Sequence, residues 1–363
     1  MNMKQNSLGI LISLYLSVST VIYTFYYKID VDKNVGYFVV IVAFLLMLKF
    51  KNFQKIFINT FNRNLFIIGV SSLTIVYLHQ FIKYKIIFNV EVFTILSIYA
   101  VIILYNLTKN KFNYFSFLKI YGVIFFFFLI INIINFKGMS ITIKQQGLSS
   151  FICYLCFVIF FFFYKNNYFL QIFTGLIILI TQTRVLILSL FLILFISNLS
   201  NFKNMIKGLI IFGFIILFIY VYFPQSRIFQ THTSGRLIHW EIIYLSFDFN
   251  NIFTGMGAGS SFEFLRNFGI SDSMGRAHNE FLTYFYDLGM FGLISLLCVL
   301  KLIHSFTSNH SKIVFYTILV QMFTDNILTY YFNYLLPLIL CLLTENDMHL
   351  IKKDSINFSK KDN

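Results

Sequence analysis

Uninterrupted apolar runs decide what this chain can become. Residues 122–131 and 209–223 contain no charged side chain and no proline. Water-soluble helices alternate apolar and polar faces, so such runs belong to lipid-embedded or deeply buried helices. The runs recur along all 363 residues: 58% of the chain is apolar, 12% is charged, and Phe alone contributes 49 residues. A soluble domain is usually about half apolar and about a quarter charged. These features exclude a soluble enzyme, a disordered chain and a disulfide scaffold. They predict an all-α polytopic membrane protein, with residues 1–363 as one integral membrane domain.

A spanning helix needs about 20 mostly apolar residues. Twelve segments qualify, at roughly 7–27, 35–50, 64–82, 90–107, 114–135, 149–164, 168–183, 184–199, 206–223, 279–300, 312–328 and 331–344. With a cytoplasmic amino terminus, sixteen Lys and Arg residues fall on the inner side and seven in the short outer loops. The excess of basic residues in cytoplasmic loops selects this orientation, with both termini cytoplasmic. The same rule accounts for the formal charge of +14 without nucleic acid.

One long polar segment, 224–278, joins helices nine and ten on the outer side. Long loops in compact proteins usually carry function. Residues 236–249 read as an amphipathic helix opened by Ser234 and Gly235, with Arg236, His239, Trp240, Ile243 and Phe247 on one face. Residues 260–268 read as a second short helix, capped by Ser260 or Ser261. Between them lies Thr254-Gly255-Met256-Gly257-Ala258-Gly259. No strand–helix unit surrounds these glycines, so a nucleotide loop is excluded. They read as a turn that lets backbone approach closely.

The arginines are distributed unevenly. Of six, only Arg63 falls on the inner side; Arg184, Arg227, Arg236, Arg266 and Arg276 fall on the outer side. The long loop has no lysine at all, although the chain has 22. A guanidinium presents a planar fork that fits phosphate oxygens, whereas an ammonium is a point charge. The competing reading is that these arginines snorkel to lipid headgroups. Arg184, in Thr181-Gln182-Thr183-Arg184, has apolar runs on both sides. A charge there marks either a functional site or a tight turn between helices.

His278, in Arg276-Ala277-His278-Asn279-Glu280, stands where the loop meets helix ten. Imidazole can accept a proton at neutral pH, so His278 is the candidate base; the alternative is a polar helix-entry residue. Glu280 and Asp287 are seven residues apart and share a helix face, where they could pair with Arg276 or cap a helix dipole. Trp240 could stack on a sugar or sit in an interfacial aromatic belt. Cys153 and Cys156 lie in an apolar run that disfavours thiolates, so they read as packing residues.

In their order along the chain, Ser234-Gly235-Arg236-Leu237-Ile238-His239-Trp240, Phe253-Thr254-Gly255-Met256-Gly257, Ala277-His278-Asn279-Glu280-Phe281-Leu282 and Asp287-Leu288-Gly289-Met290-Phe291-Gly292-Leu293 resemble the motifs of the O-antigen ligase/polymerase superfamily. That superfamily includes Wzy-type polysaccharide polymerases and WaaL-type ligases. The Thr183-Arg184 junction resembles the family's serine–arginine junction, with Thr in place of Ser. The resemblance covers about a third of the chain, 181–297; elsewhere only topology agrees.

The resemblance implies a GT-C-like fold in the bacterial cytoplasmic membrane, with 224–278 as an outward-facing catalytic loop. It implies oligosaccharide on undecaprenyl pyrophosphate as the substrate, no metal or other cofactor, and a chain-length regulator protein as a partner. Arg184 and Arg236 would clamp the pyrophosphate with help from Arg227 and Arg276. His278 would act as base, and Trp240 and Glu280 would line the substrate site. Polymerase is the preferred reading; ligase, which has a different acceptor, is the alternative. A transporter of lipid-linked sugars stays open as a reading of another class. It would carry ionisable groups inside its spans, where this sequence shows few beyond Glu91 and Lys119.

Overall fold

The structure, a computed structural model, describes residues 59–85, 90–108, 236–268, 279–307 and 312–324, with isolated helical positions at 169, 206, 210, 213, 339, 342 and 343. Among the described residues all regular structure is helical. Two of the described helices are long and apolar enough to cross a membrane: α1 (Thr60–Tyr84) and α5 (Glu280–Phe306). The other helices are α2 (Val90–Thr108), α3 (Arg236–Ser246), α4 (Ser260–Asn267) and α6 (Lys312–Thr324). Four of the twelve expected spans coincide with described helices: 64–82 with α1, 90–107 with α2, 279–300 with α5 and 312–328 with α6. The remaining eight lie outside the described residues, apart from isolated helical positions.

Two compact units divide the chain. One comprises Met1–Phe112, Thr233–Phe306 and Gln321–Leu340; the other comprises Asn113–His232, Thr307–Val320 and Cys341–Asn363. In the second unit, the first nine residues of α6 form a helical stretch that buries Val314, Phe315, Thr317 and Ile318. Helices α1 to α5 all belong to the first unit.

α1 extends past its apolar run at both ends. The Asn59 side chain accepts the Phe61 N–H at 2.9 Å, closing the N-terminus. Lys85 adopts a left-handed conformation and donates its N–H to Phe81 O at 3.1 Å, closing the other end. Its buried positions, Asn62, Phe66, Gly69, Ser72, Leu73, Val76 and Gln80, recur every three or four residues and form one stripe. That stripe packs chiefly on α5. The opposite side exposes Ile67, Ile68, Ile75, Leu78, Phe81 and Ile82.

α2 is buried around almost its whole circumference, as expected of a helix with no polar face. It meets α1 and α5 at one crossing. Tyr99 donates its hydroxyl to Ser295 O at 2.9 Å and stands edge-on to Phe66. A Cβ at Gly69 would collide with the Tyr99 ring, so only glycine admits the tyrosine there.

α5 is not continuous. Gly289, at φ 68 and ψ −164, breaks it into 280–288 and 290–306. Only glycine adopts this backbone region readily. The long loop contributes α3, a 3-10 turn (Phe249–Asn251) capped by Asp248, and α4. α3 ends at Ser246, three residues short of the expected 249, yet Phe247 stays buried with His239 and Ile243. α4 also departs from expectation: its N-cap is Gly259, with no side-chain cap bond, and Ser260 is its first residue. The loop folds around Ile243, Phe247, Leu265 and Tyr286, which join α3 and α4 to the first half of α5. Phe247 stacks on Phe285 at 4.9 Å.

Candidate functional site

The candidate site is the junction of the glycine turn, the break in α5 and the end of α1. A helix break frees backbone groups, and in apolar surroundings each must find a partner. Here the turn supplies them. Met256 N–H donates to Tyr286 O at 2.8 Å, and Gly257 N–H to Asp287 O at 3.1 Å. Beyond the break, Met290 N–H donates to Ile252 O at 2.8 Å and Phe291 N–H to Phe253 O at 3.1 Å. The two backbones touch. A Cβ on Gly289 would lie 2.5 Å from Gly255 N and Thr254 N, and one on Gly255 would collide with the Asp287 carbonyl. The close backbone approach expected of the glycine run is therefore realised, against α5.

Gln80 of α1 fastens the junction. Its Nε2 donates to Asp287 O at 2.8 Å and to Thr254 O at 3.0 Å, and its Oε1 accepts the Ala258 N–H at 3.2 Å. One carboxamide thus binds α1, the turn and α5 together. Lys83, one turn further on, donates to Asn251 Oδ1 at 2.7 Å.

Asp287 is fully buried, and its carboxylate caps α4. Oδ1 accepts Ser261 N–H at 2.7 Å and Ser260 Oγ–H at 3.1 Å, while Oδ2 accepts Ser261 Oγ–H at 3.0 Å. Both carboxyl oxygens lie at the N-terminal end of α4, where they meet its first free N–H. A cap was among the roles open to this residue, but the helix capped is a different one from its own. Asp287→Ala strands the Ser261 N–H and Oγ–H, while the Ser260 hydroxyl keeps Gly257 O at 2.6 Å. A buried donor left without a partner costs about 1–3 kcal/mol. The substitution should therefore lower the melting temperature of the purified protein sharply, and Asp287→Asn, which keeps an acceptor, should lower it less. Equal melting of both variants would refute the cap.

Two more carboxylates are buried nearby, Glu91 of α2 and Glu280 at the start of α5. Among the described residues no group of His, Cys, Asp and Glu is arranged to hold a metal ion.

Of the residues singled out in the sequence, Arg236 is the first residue of α3, Trp240 is half-buried against the loop core, and Glu280 opens α5. Arg184, Arg227, Arg276 and His278 lie outside the described residues. Asn279, which follows His278, accepts the Leu282 N–H at 3.1 Å and caps α5. Gln80 escaped sequence reasoning. Its signal was a carboxamide near the end of an apolar run, where an uncompensated polar group is costly.

No protein-family model matches the chain, and no curated protein matches it.

Proposed function

We propose that this chain is a membrane glycosyltransferase that polymerises oligosaccharide repeats. The donor is a repeat on undecaprenyl pyrophosphate, and the acceptor is the non-reducing end of another lipid-linked repeat. One observation supports this above all. Three of the stretches that resemble the polymerase and ligase motifs, separate in sequence, fold as one interlocked body. The turn at 252–257 docks by backbone hydrogen bonds on both sides of the α5 break, and α3 packs on the half of α5 before it.

In this reading the arginines act on the leaving group. Arg184 and Arg236 hold the pyrophosphate, assisted by Arg227 and Arg276, and neutralise charge as it departs. His278 takes the proton of the acceptor hydroxyl. The hydroxyl oxygen bonds to the anomeric carbon as the carbon–oxygen bond to pyrophosphate breaks, and in-line attack inverts that carbon. Trp240 and Glu280 belong to the sugar side of the site.

Buried Glu91 and Glu280 favour a second reading, transport of lipid-linked sugar, because ionisable groups inside spans commonly mark translocation paths. Asp287 adds nothing to it, since its carboxylate is committed to α4.

The surface polysaccharide profile of a strain deleted for this gene separates the readings. Loss of the long ladder with single repeats still attached to the core is the outcome expected for a polymerase. Loss of every attached repeat, with lipid-linked polymer accumulating, would instead mean a ligase. Labelled lipid-linked sugar exchanging across vesicles that contain the protein, with product length unchanged, would mean a transporter.

A further inference from the structure

α3 buries one face and leaves another bare. The loop core takes His239 and Ile243, with Trp240 half-covered. The free face carries Leu237, Ile238, Tyr244 and Leu245, of which Leu245 is 74% exposed and Ile238 60%. Glu241 is the one charge among them. Beyond the helix Phe249 and Phe253 are also bare, 66% and 59% exposed, with the exposed Asp248 and Asn250 beside Phe249. Large apolar side chains left bare within one short stretch mark an interaction surface.

Its position identifies what covers it. Asn251, between Phe249 and Phe253, is held by Lys83 at the end of α1. The exposed apolar strip of α1, a helix able to cross a membrane, ends at Phe81 and Ile82. The patch therefore begins where that strip stops. The turn also sits below the helix end. Thr254 bonds Gln80, four residues before Tyr84, which at about 1.5 Å per residue is about 6 Å down the axis. Lys83 and Tyr84, with the ammonium 5.0 Å from the ring centroid, are residues typical of a membrane interface.

We propose that the free face of α3, with Phe249 and Phe253, is a lipid-docking surface seated at the headgroup–acyl boundary beside the end of α1. Interfacial helices bury their apolar face to about 5–10 Å. The Glu241 carboxylate keeps α3 at the shallow end of that range, within reach of water and headgroups. This placement of the loop is independent of the transfer reaction.

The chain has a single tryptophan, which makes the test direct. The full-length protein carrying W240F/Y244W would be placed in phosphatidylcholine nanodiscs whose acyl chains are brominated either near the headgroup or near the middle. W240F alone supplies the background. Strong loss of emission with shallow bromines, weaker loss with deep ones and little loss with aqueous acrylamide is the expected result. Quenching by acrylamide without quenching by bromine would place the face in water. Quenching by neither would mean that protein, such as a second copy, covers it. Either outcome overturns the proposal. Where Y244W impairs folding, W240F/L245W reports on the same face from the next position.

Discussion

Gly289→Val is expected to be the most damaging single substitution among the described residues. Two costs combine. A residue with a Cβ pays about 1–3 kcal/mol to adopt the φ 68, ψ −164 backbone. That Cβ would also lie 2.5 Å from backbone atoms of Gly255, Thr254 and Phe253, none of which can rotate away. The turn must leave, and with it go the four bonds that pair the broken ladder of α5. Those groups then face apolar surroundings unpaired, at about 1–3 kcal/mol each. The protein should either fail to accumulate or melt well below wild type, with the loop open to protease. Gly259→Val makes a useful comparison. It shares the left-handed φ, at 73, but its Cβ would meet nothing within 4 Å, so it carries the backbone cost without the clash and should be far milder. Equal tolerance of both substitutions would mean that the docked turn does not hold α5.

The second large effect is chemical. His278→Ala should cut chain extension by about 10²–10⁴, the usual contribution of a positioned proton acceptor. It should leave the melting temperature near that of wild type. Arg236 offers a finer test of the phosphate clamp. Arg236→Lys keeps the charge and loses the fork, so it should retain partial activity, whereas Arg236→Ala should retain almost none. The readout is ladder length from a deletion strain complemented with each variant. Wild-type ladders from His278→Ala and Arg236→Ala together would remove the proposed mechanism.

Among the described residues, helices were legible where a long apolar run alone determines the element. Residues 64–82 announce α1, but the extra turns come from the Asn59 cap and the left-handed Lys85, which hydrophobicity does not encode. The break in α5 was hidden for a stronger reason. Leu288-Gly289-Met290-Phe291-Gly292-Leu293 continues an apolar run, and an isolated glycine there looks like a helical residue. What breaks the helix is a set of partners more than thirty residues upstream and the carboxamide of Gln80, about 200 residues away. The glycine turn was legible in kind, as a place of close backbone approach, while its neighbour was not. The buried face of α3 was legible from periodicity. Its other face was not, because spacing shows which residues share a side but not what lies opposite them.

The broken α5 bears on how the chain is made. A helix carrying a buried aspartate and an interrupted hydrogen-bond ladder is a poor substrate for insertion into lipid on its own. Ribosomes deliver this chain in a favourable order. α1 with Gln80 emerges first, the turn at 252–258 next, and the α5 break last. Every group that satisfies the break is therefore already synthesised when the break leaves the insertion machinery. The last helix of this trio has a waiting partner, and its polar gap closes by docking instead of by exposure to lipid.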